Sequence, residues 1–285
     1  MEKVIINDQI VNRIDAKVDM NDRGYHFGDG IYEVIRVFNG VLFAAEEHLE
    51  RLFKSAKKVN IDIPYSKDKI INLVNTLVEL NDVETGIVYF QITRGSAIRT
   101  HEFPTSKTEP VFTAFTANVE VPEKELEKGV EVITTEDVRW LRCEIKSLNL
   151  LPNVLAKQEA AEKNCYEAIF HRDEIVTEAS SSNVFIVKNG VVITHPVTSQ
   201  ILNGITRQVV LNLCEENSIR FTKKKYSVLD LMTADEVFIT STTADVMPVI
   251  KIDNTVIGTG APGSVTRNLQ SLFREKANKD TKLVV

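Results

Sequence analysis

Arg139-Trp140-Leu141-Arg142-Cys143-Glu144-Ile145-Lys146-Ser147-Leu148-Asn149 runs directly into Leu150-Leu151-Pro152-Asn153-Val154-Leu155-Ala156-Lys157. Leu141, Cys143 and Ile145 alternate with Arg142, Glu144 and Lys146, which is the period of a strand with one dry and one polar face. Lys146 falls on the polar face, just before Ser147-Leu148-Asn149, and that tripeptide has the composition of a turn. Two readings stand open on this pattern alone. Lys146 is a solvated edge-strand lysine, or it is an amine held in a pocket, where desolvation or a nearby cation lowers its pKa from about 10.4 and lets it attack a carbonyl.

Composition narrows the setting. A chain of 285 residues is long enough for two domains with separate cores, and 43% hydrophobic with 26% charged residues is ordinary for a globular protein. The net charge of −6 gives no basic surface for nucleic acid, and Lys223-Lys224-Lys225 is too short a basic run to change that. Cys143, Cys165 and Cys214 are odd in number and widely spaced, which fits neither a disulfide framework nor a metal-ligand pattern. The start, Met1-Glu2-Lys3-Val4, lacks an apolar signal core, and no run is long enough to span a bilayer. The expectation is a cytoplasmic protein with no membrane and no metal partner.

Toward the N-terminus, Lys3 to Val11 reads as a hairpin turning at Asn7-Asp8. Asn21 to Gly30 follows, a glycine-bearing stretch suited to a tight loop or, on weaker grounds, a phosphate cradle. Ile31 to Val37 reads as a strand on which Tyr32 and Val34 share a face. Leu49, Leu52, Phe53, Ala56 and Val59 have helical spacing, which places His48 and Arg51 near a helix start. Ser66 is positioned to cap a second helix carrying Ile70, Leu73, Val74, Leu77 and Val78. Strands over 86–93 and 111–118 enclose a loop in which Arg99 and His101 alternate, so both can point one way and receive a carboxylate; a solvated polar loop is the alternative. Residues 119–128, acidic and with little apolar period, read as a linker between a domain over 1–118 and one over 129–285.

Toward the C-terminus, a helix over 152–163 precedes strands over 166–170 and 174–177. Glu178-Ala179-Ser180-Ser181-Ser182-Asn183 is either turn chemistry or a carboxylate fixed by hydroxyls against a heterocyclic nitrogen. Asn189-Gly190 marks a hairpin tip. Gly204-Ile205-Thr206-Arg207 opens a helix whose free amides, beside the Thr206 hydroxyl, make an anion site. A strand over 236–239 ends in Thr240-Ser241-Thr242-Thr243, a second cluster of small donors. Gly258-Thr259-Gly260-Ala261-Pro262-Gly263 matches Gly-x-Gly-x-x-Gly, but the βαβ unit that such a motif needs has no room to form there.

Taken together, these motifs closely resemble the class IV pyridoxal-phosphate aminotransferases, the fold-type-IV group that includes D-amino-acid and branched-chain aminotransferases and aminodeoxychorismate lyase. The resemblance rests on Arg23-Gly24 to Gly30 with Tyr32-Glu33, on Glu46 to Arg51, and on Lys146-Ser147-Leu148-Asn149. It extends through Glu178 to Asn183, Gly204 to Arg207 and Thr240 to Thr243. It implies a mixed α and β fold, with a smaller N-terminal α/β sandwich and a larger C-terminal α+β pseudo-barrel carrying the cofactor lysine. It implies that Lys146 forms the Schiff base with pyridoxal 5'-phosphate, that Glu178 faces the pyridine nitrogen, and that Arg51, Ser181, Ile205, Thr206, Ser241 and Thr242 hold the cofactor. Within the group the chain is most similar to the D-amino-acid aminotransferases, because Tyr32, Arg99 and His101 look like their trap for the substrate carboxylate. The implied reaction is D-alanine plus 2-oxoglutarate giving pyruvate plus D-glutamate, a supply of D-amino acids for cell-wall synthesis. A homodimer is implied too, with the Arg99 to His101 loop reaching the opposite subunit's site. An L-branched-chain aminotransferase of the same fold is the alternative.

Overall fold

In the computed structural model, which describes residues 2–105 and 108–282, contacts group the chain into two units. The first comprises its described residues up to Glu120, together with Ile145–Asn149 and those from Asn278; the second comprises Val121–Glu144 and Leu150–Ala277.

The first unit begins with β1 (Lys3–Ile6) and β2 (Gln9–Asn12), the expected hairpin, with Asn7 at φ 58° in the left-handed region that asparagine tolerates. The stretch read as a glycine loop or phosphate cradle is instead a short helix, α1 (Arg23–Phe27). The Asp22 carboxylate accepts its Gly24 N–H at 2.7 Å, and Gly28 closes it at φ 64°. β3 (Gly30–Phe38) and β4 (Val41–Leu42) precede α2 (Ala45–Lys58) and α3 (Lys67–Leu80), and β5 (Thr85–Thr93) and β6 (Val111–Asn118) complete the set. The strands form one antiparallel sheet in the order β2-β1-β6-β5-β3-β4. The Ser66 hydroxyl caps α3 by accepting the Lys69 N–H, and Ile70, Leu73, Val74, Leu77 and Val78 are all buried. These side chains join Leu49, Leu52 and Ala56 of α2 against Ile35, Val88, Phe90 and Phe112 of the sheet, a two-layer α/β sandwich.

The second unit starts inside the expected linker, where α4 (Glu123–Lys128) buries Leu126. A single turn with one apolar contact carries no period to read. Then follow β7 (Val130–Glu136), α5 (Leu151–Glu162), β8 (Glu167–Arg172), β9 (Ile175–Ala179), β10 (Asn183–Lys188) and β11 (Val191–Thr194). α6 (Ile205–Glu216), β12 (Phe221–Lys223), α7 (Val228–Met232), β13 (Glu236–Ser241), β14 (Asp245–Ile252), β15 (Thr255–Val256) and α8 (Ser264–Asp280) complete it. The Asn189-Gly190 tip has φ 51° and 70°, as a type I′ turn requires. The sheet runs β12-β11-β10-β13-β14-β7-β8-β9, with β15 on β14, and mixes parallel and antiparallel pairs. Only Ser180–Ser182 separate β9 from β10, although four strands lie between those two in the sheet order, and Ala179 N–H donates to Ser182 O at 2.7 Å. A link that short forces the sheet to curl round on itself, which is the expected pseudo-barrel. Among the described residues no helix is long and apolar enough to cross a membrane.

Gly86 marks the tightest point of the sandwich sheet, because a Cβ there would sit 2.3 Å from Ala117 O and 2.7 Å from a Val83 methyl. The partner backbone cannot yield without breaking the β5–β6 ladder. Gly86→Ala is expected to destabilise the protein by about 1–3 kcal/mol in denaturant unfolding, as overpacking of a rigid site does; an unchanged midpoint would show that the ladder yields.

Candidate active site

Lys146 lies with the first unit, and its segment is not the regular strand that the alternation predicts. Residues 139–149 run as bends and turns, and only Ser147 makes a bridge, to Ile31 of β3. The alternation survives as burial: Cys143, Ile145 and Ser147 are inside, whereas Leu141 is 63% exposed. The backbone is pinned on both sides of the lysine, with Tyr32 N–H donating to Lys146 O and Leu148 N–H to Gly30 O, both at 3.0 Å. Lys146 N–H also donates to Ser55 Oγ of α2 at 3.2 Å. The side chain crosses the Tyr32 ring, Nζ 4.2 Å from its centroid. Tyr32 is itself stacked on Tyr89, at 5.6 Å and 25°, so the ring under the amine is fixed from behind.

Next to Tyr32 on β3, Glu33 points the other way into the sandwich and is fully buried. Arg51 grips it with Nε to Oε1 at 2.7 Å and Nη2 to Oε2 at 2.8 Å, and His48 Nδ1 lies 2.8 Å from Oε2. A carboxylate only accepts, so the His48 proton is on Nδ1. Burial pushes the Glu33 carboxyl up, but the Arg51 charge and hydrogen bonds with those of His48 outweigh it and bring the pKa down to about 2. Burial dominates at His48 and lowers its pKa. Arg51, expected at a phosphate, is thus oriented by the buried Glu33, for which the sequence offers no role.

Arg99 and His101 converge as expected. Both pack on Phe27 of α1, the Arg99 guanidinium 4.8 Å from the ring centroid and the His101 ring edge-on at 5.6 Å.

In the second unit, Glu178 at the end of β9 is 5% exposed. Its Oε1 accepts from Arg139 Nη1 at 2.5 Å, and Oε2 accepts from Asn183 Nδ2 at 3.0 Å and Leu202 N–H at 2.9 Å. Burial pushes the Glu178 carboxyl up, opposed by Arg139 and the Leu202 amide. Arg139 is held in turn by Asp137, through Nε to Oδ1 and Nη2 to Oδ2, both at 2.8 Å. Burial raises the Asp137 carboxyl, and Arg139 and Arg172 override it to about 2.

The serines do not serve Glu178. Ser180, Ser181 and Ser182 all direct their hydroxyls to Glu167 at the start of β8, Ser181 at 2.6 Å and Ser182 at 3.2 Å. The expectation of a hydroxyl-fixed carboxylate therefore holds for Glu167, which is fully buried, and not for Glu178. Nothing within a few residues signals this, because the pairing runs across the β8–β9 ladder, where Ser180 N–H donates to Ala168 O at 2.9 Å.

Asn183 links the remaining expected residues. Its Nδ2 also donates to Leu202 O at 2.8 Å, and its backbone pairs with Thr240, one residue before Ser241 and the turn carrying Thr242. Ser241 Oγ accepts the Ala244 N–H at 3.1 Å and fixes that turn. Gly204, the residue capping α6, approaches Asn183 so closely that a Cβ would lie 2.1 Å from Oδ1. No side-chain cap fits, so the first amides, at Ile205 and Thr206, remain for an acceptor from outside the helix. One asparagine thus ties together an acidic end, Glu178, and an anion-binding end made by the α6 start and the turn after Ser241. A ring nitrogen at one end of a ligand and a phosphate at the other fit this pair.

Residues 30–252 match the family described as amino-transferase class IV. The D-alanine aminotransferase of Bacillus licheniformis is 50% identical over 279 residues, covering 98% of each chain, and that of Staphylococcus epidermidis is 52% identical over 275 residues, covering 96% of this chain and 98% of its own. The fold matches solved branched-chain amino acid aminotransferases. That of Escherichia coli has a TM-score of 0.91 at 26% identity over 99% of this chain and 97% of its own. The enzyme of the thermophilic archaeon Thermoproteus uzoniensis, solved with norvaline, has a TM-score of 0.86 at 25% identity over 99% and 96%.

The depressed Glu33 pKa carries a sign. Its ion pair stabilises the fold fully above about 4.5 and is lost as the pH falls toward about 2. Glu33→Gln leaves Arg51 short of its charge partner, so it is expected to lose about 3–5 kcal/mol at pH 7. It should also show a shallower loss of melting temperature between pH 5 and 3 than the parent; parallel curves would remove Glu33 from the acid transition. With the match spanning most of its length and half of its residues shared with curated relatives, the chain belongs to the class IV aminotransferases.

Proposed function

We propose that this chain transaminates D-amino acids, exchanging D-alanine and 2-oxoglutarate for pyruvate and D-glutamate, with pyridoxal 5'-phosphate as cofactor and a homodimer as the working unit. The observation that carries the reading is Lys146, pinned through its backbone to β3 with its amine over the Tyr32 ring. An amine so held has a fixed direction, which a carbonyl-binding lysine needs and a solvated one does not. The curated relatives sharing half of its residues carry the D-alanine name, which favours this substrate over branched-chain amino acids.

The cofactor, when bound, supplies a carbonyl that links to amines and a ring that takes up the electron pair left at the substrate's α-carbon. Lys146 would hold it, and the same amine would take the proton from the substrate's α-carbon and pass it to the cofactor's carbonyl carbon. Glu178 would accept a hydrogen bond from the protonated ring nitrogen, and Arg139 opposes the burial that pushes the Glu178 carboxyl up. The α6 amides, the Thr206 hydroxyl, the turn bearing Ser241 and Thr242, and Arg51 receive the phosphate. Ser181, also expected at the cofactor, gives its hydroxyl to Glu167. Arg99 and His101 anchor the substrate carboxylate, and anchoring it decides which α-substituent faces the Lys146 amine.

Purified protein is expected to be yellow and to change its absorption with D-alanine and not with L-alanine, while Lys146→Ala keeps its fold and loses turnover. A response to L-leucine without one to D-alanine would install the branched-chain reading. The dimer assignment has its own check. Mixing Arg99→Met with Lys146→Ala subunits, each inactive, is expected to restore activity, because a heterodimer then holds one site with both residues. Absence of rescue in a mixture shown to form heterodimers would place the loop in its own subunit's site.

A further inference from the structure

The glycine-bearing stretch over 21–30 folds as α1 with its two caps and is not an open loop. It is attached to the loop carrying Arg99 and His101. Arg23 opens α1 and Phe27 closes it, four residues apart and therefore on one face. The Arg23 guanidinium lies 4.9 Å from the Phe27 centroid and donates through Nη1 to the carbonyl of Thr100 at 2.8 Å. Thr100 stands between Arg99 and His101, and both of those side chains rest on the other parts of the same ring.

This arrangement is anchored to the body of its unit. Arg23 Nε donates to Asp29 Oδ2 at 2.8 Å, and Arg94 grips the same carboxylate through Nε at 2.8 Å and Nη2 at 2.9 Å. Arg94 then donates to the carbonyls of Val59 and Asn60 just past the end of α2, at 2.8 and 2.7 Å. Burial opposes ionisation of Asp29, but the two guanidinium groups prevail and lower its pKa. A continuous line of charge-assisted hydrogen bonds therefore runs from the end of α2 through Arg94, Asp29 and Arg23 to the peptide between Arg99 and His101. Arg94 also covers the Phe103 ring at 3.8 Å, which fixes the far side of the loop.

An exposed arginine carries several rotatable bonds, and ordering it on binding a small carboxylate costs affinity. A ring and a tied carbonyl reduce that cost before the ligand arrives. We propose that Arg23 and Phe27 are positioning residues for a carboxylate trap: Arg23 fixes the Thr100 carbonyl, and Phe27 holds the Arg99 and His101 side chains in their receiving orientation. This rests on the reading of Arg99 and His101 as the carboxylate anchor.

The test is calorimetric titration of the holoenzyme with propionate, a carboxylate without an amine, beside kinetics with D-alanine. Arg99→Met is expected to weaken propionate by at least about 10-fold, the effect of losing a charge-assisted bond. Phe27→Leu should weaken it roughly 3- to 5-fold, as loss of an exposed cation–π contact does, and Arg23→Gln should do so without touching the ligand itself. Phe27→Tyr keeps the ring and should recover the parent affinity. The two single effects should not multiply: Phe27→Leu with Arg99→Met should bind within about 2-fold of Arg99→Met alone, because once the charged guanidinium is gone only the His101 ring is left for Phe27 to position. KM for D-alanine should rise more than kcat falls. Multiplying effects, or parent affinity in both Phe27→Leu and Arg23→Gln, overturn the inference. Parent affinity in Arg99→Met would instead show that this loop anchors no carboxylate, and both the reading and the inference fall. Should Phe27→Leu not fold, Arg23→Gln and Phe27→Tyr still decide.

Discussion

Three residues, Ser180 to Ser182, carry the chain from β9 to β10, strands that have four others between them in the sheet. A flat sheet would place those strand ends far beyond the reach of three residues, so the connection is possible only if the sheet curls until its β9 edge returns to β10. Ser180 and Ser182 are buried at that closure and their hydroxyls need partners, and the Glu167 carboxylate accepts from both, from the exposed Ser181 and from the Ala168 N–H at 2.9 Å. The turn is therefore rigid where turns are usually mobile. Glu178 lies two residues before it and Asn183 directly after it, and their mutual hydrogen bond depends on the closure that the serines secure.

The buried charges of both units follow one pattern. Glu33 with Arg51, and Asp137 with Arg139, are pairs in which an arginine fork meets both oxygens of a carboxylate. Such pairs add little net stability, because desolvation consumes most of the Coulomb gain. What they do fix is direction. Arg139 held by Asp137 has one guanidinium nitrogen left to aim at Glu178, and Arg51 held by Glu33 presents a set orientation from α2. Breaking either pair costs more than forming it contributes, and this asymmetry keeps side chains with several torsions in single positions.

Local patterns were legible wherever the cause lay within a few residues. The Ser66 cap and the five apolar positions of α3, the Asn189-Gly190 tip and the start of α6 each depend on one turn of chain, and each stands where the spacing put it. The Lys146 segment was half legible: its alternation reports one buried face, at Cys143, Ile145 and Ser147, but strand pairing needs a neighbour for every residue, and only Ser147 finds one. The serine cluster lies beside Glu178 in sequence, while the fold gives it to Glu167, 13 to 15 positions away, across the β8–β9 ladder. Arg139 and Asn183 were equally silent, since a partner is set by topology and no period announces it. Family resemblance, not residue spacing, singled out Lys146.

Two classes of substrate share this architecture, so the strands and helices that position Lys146, Glu178 and the α6 start leave substrate choice open. The choice must reside where a ligand's distinguishing group is met, and for an amino acid of either hand the carboxylate is the group that sets orientation. Arg99 and His101 sit on a connection between β5 and β6, outside the ladders that hold the sandwich together. A loop there can change without disturbing the core, which is why specificity concentrates in such segments. A freely moving loop would discriminate poorly, because each orientation of the anchor admits a different hand. The Arg94–Asp29–Arg23 line resolves that tension by tying this loop to the end of α2. On the proposed role of Arg99 and His101, selectivity by handedness depends as much on what holds those side chains still as on the side chains themselves.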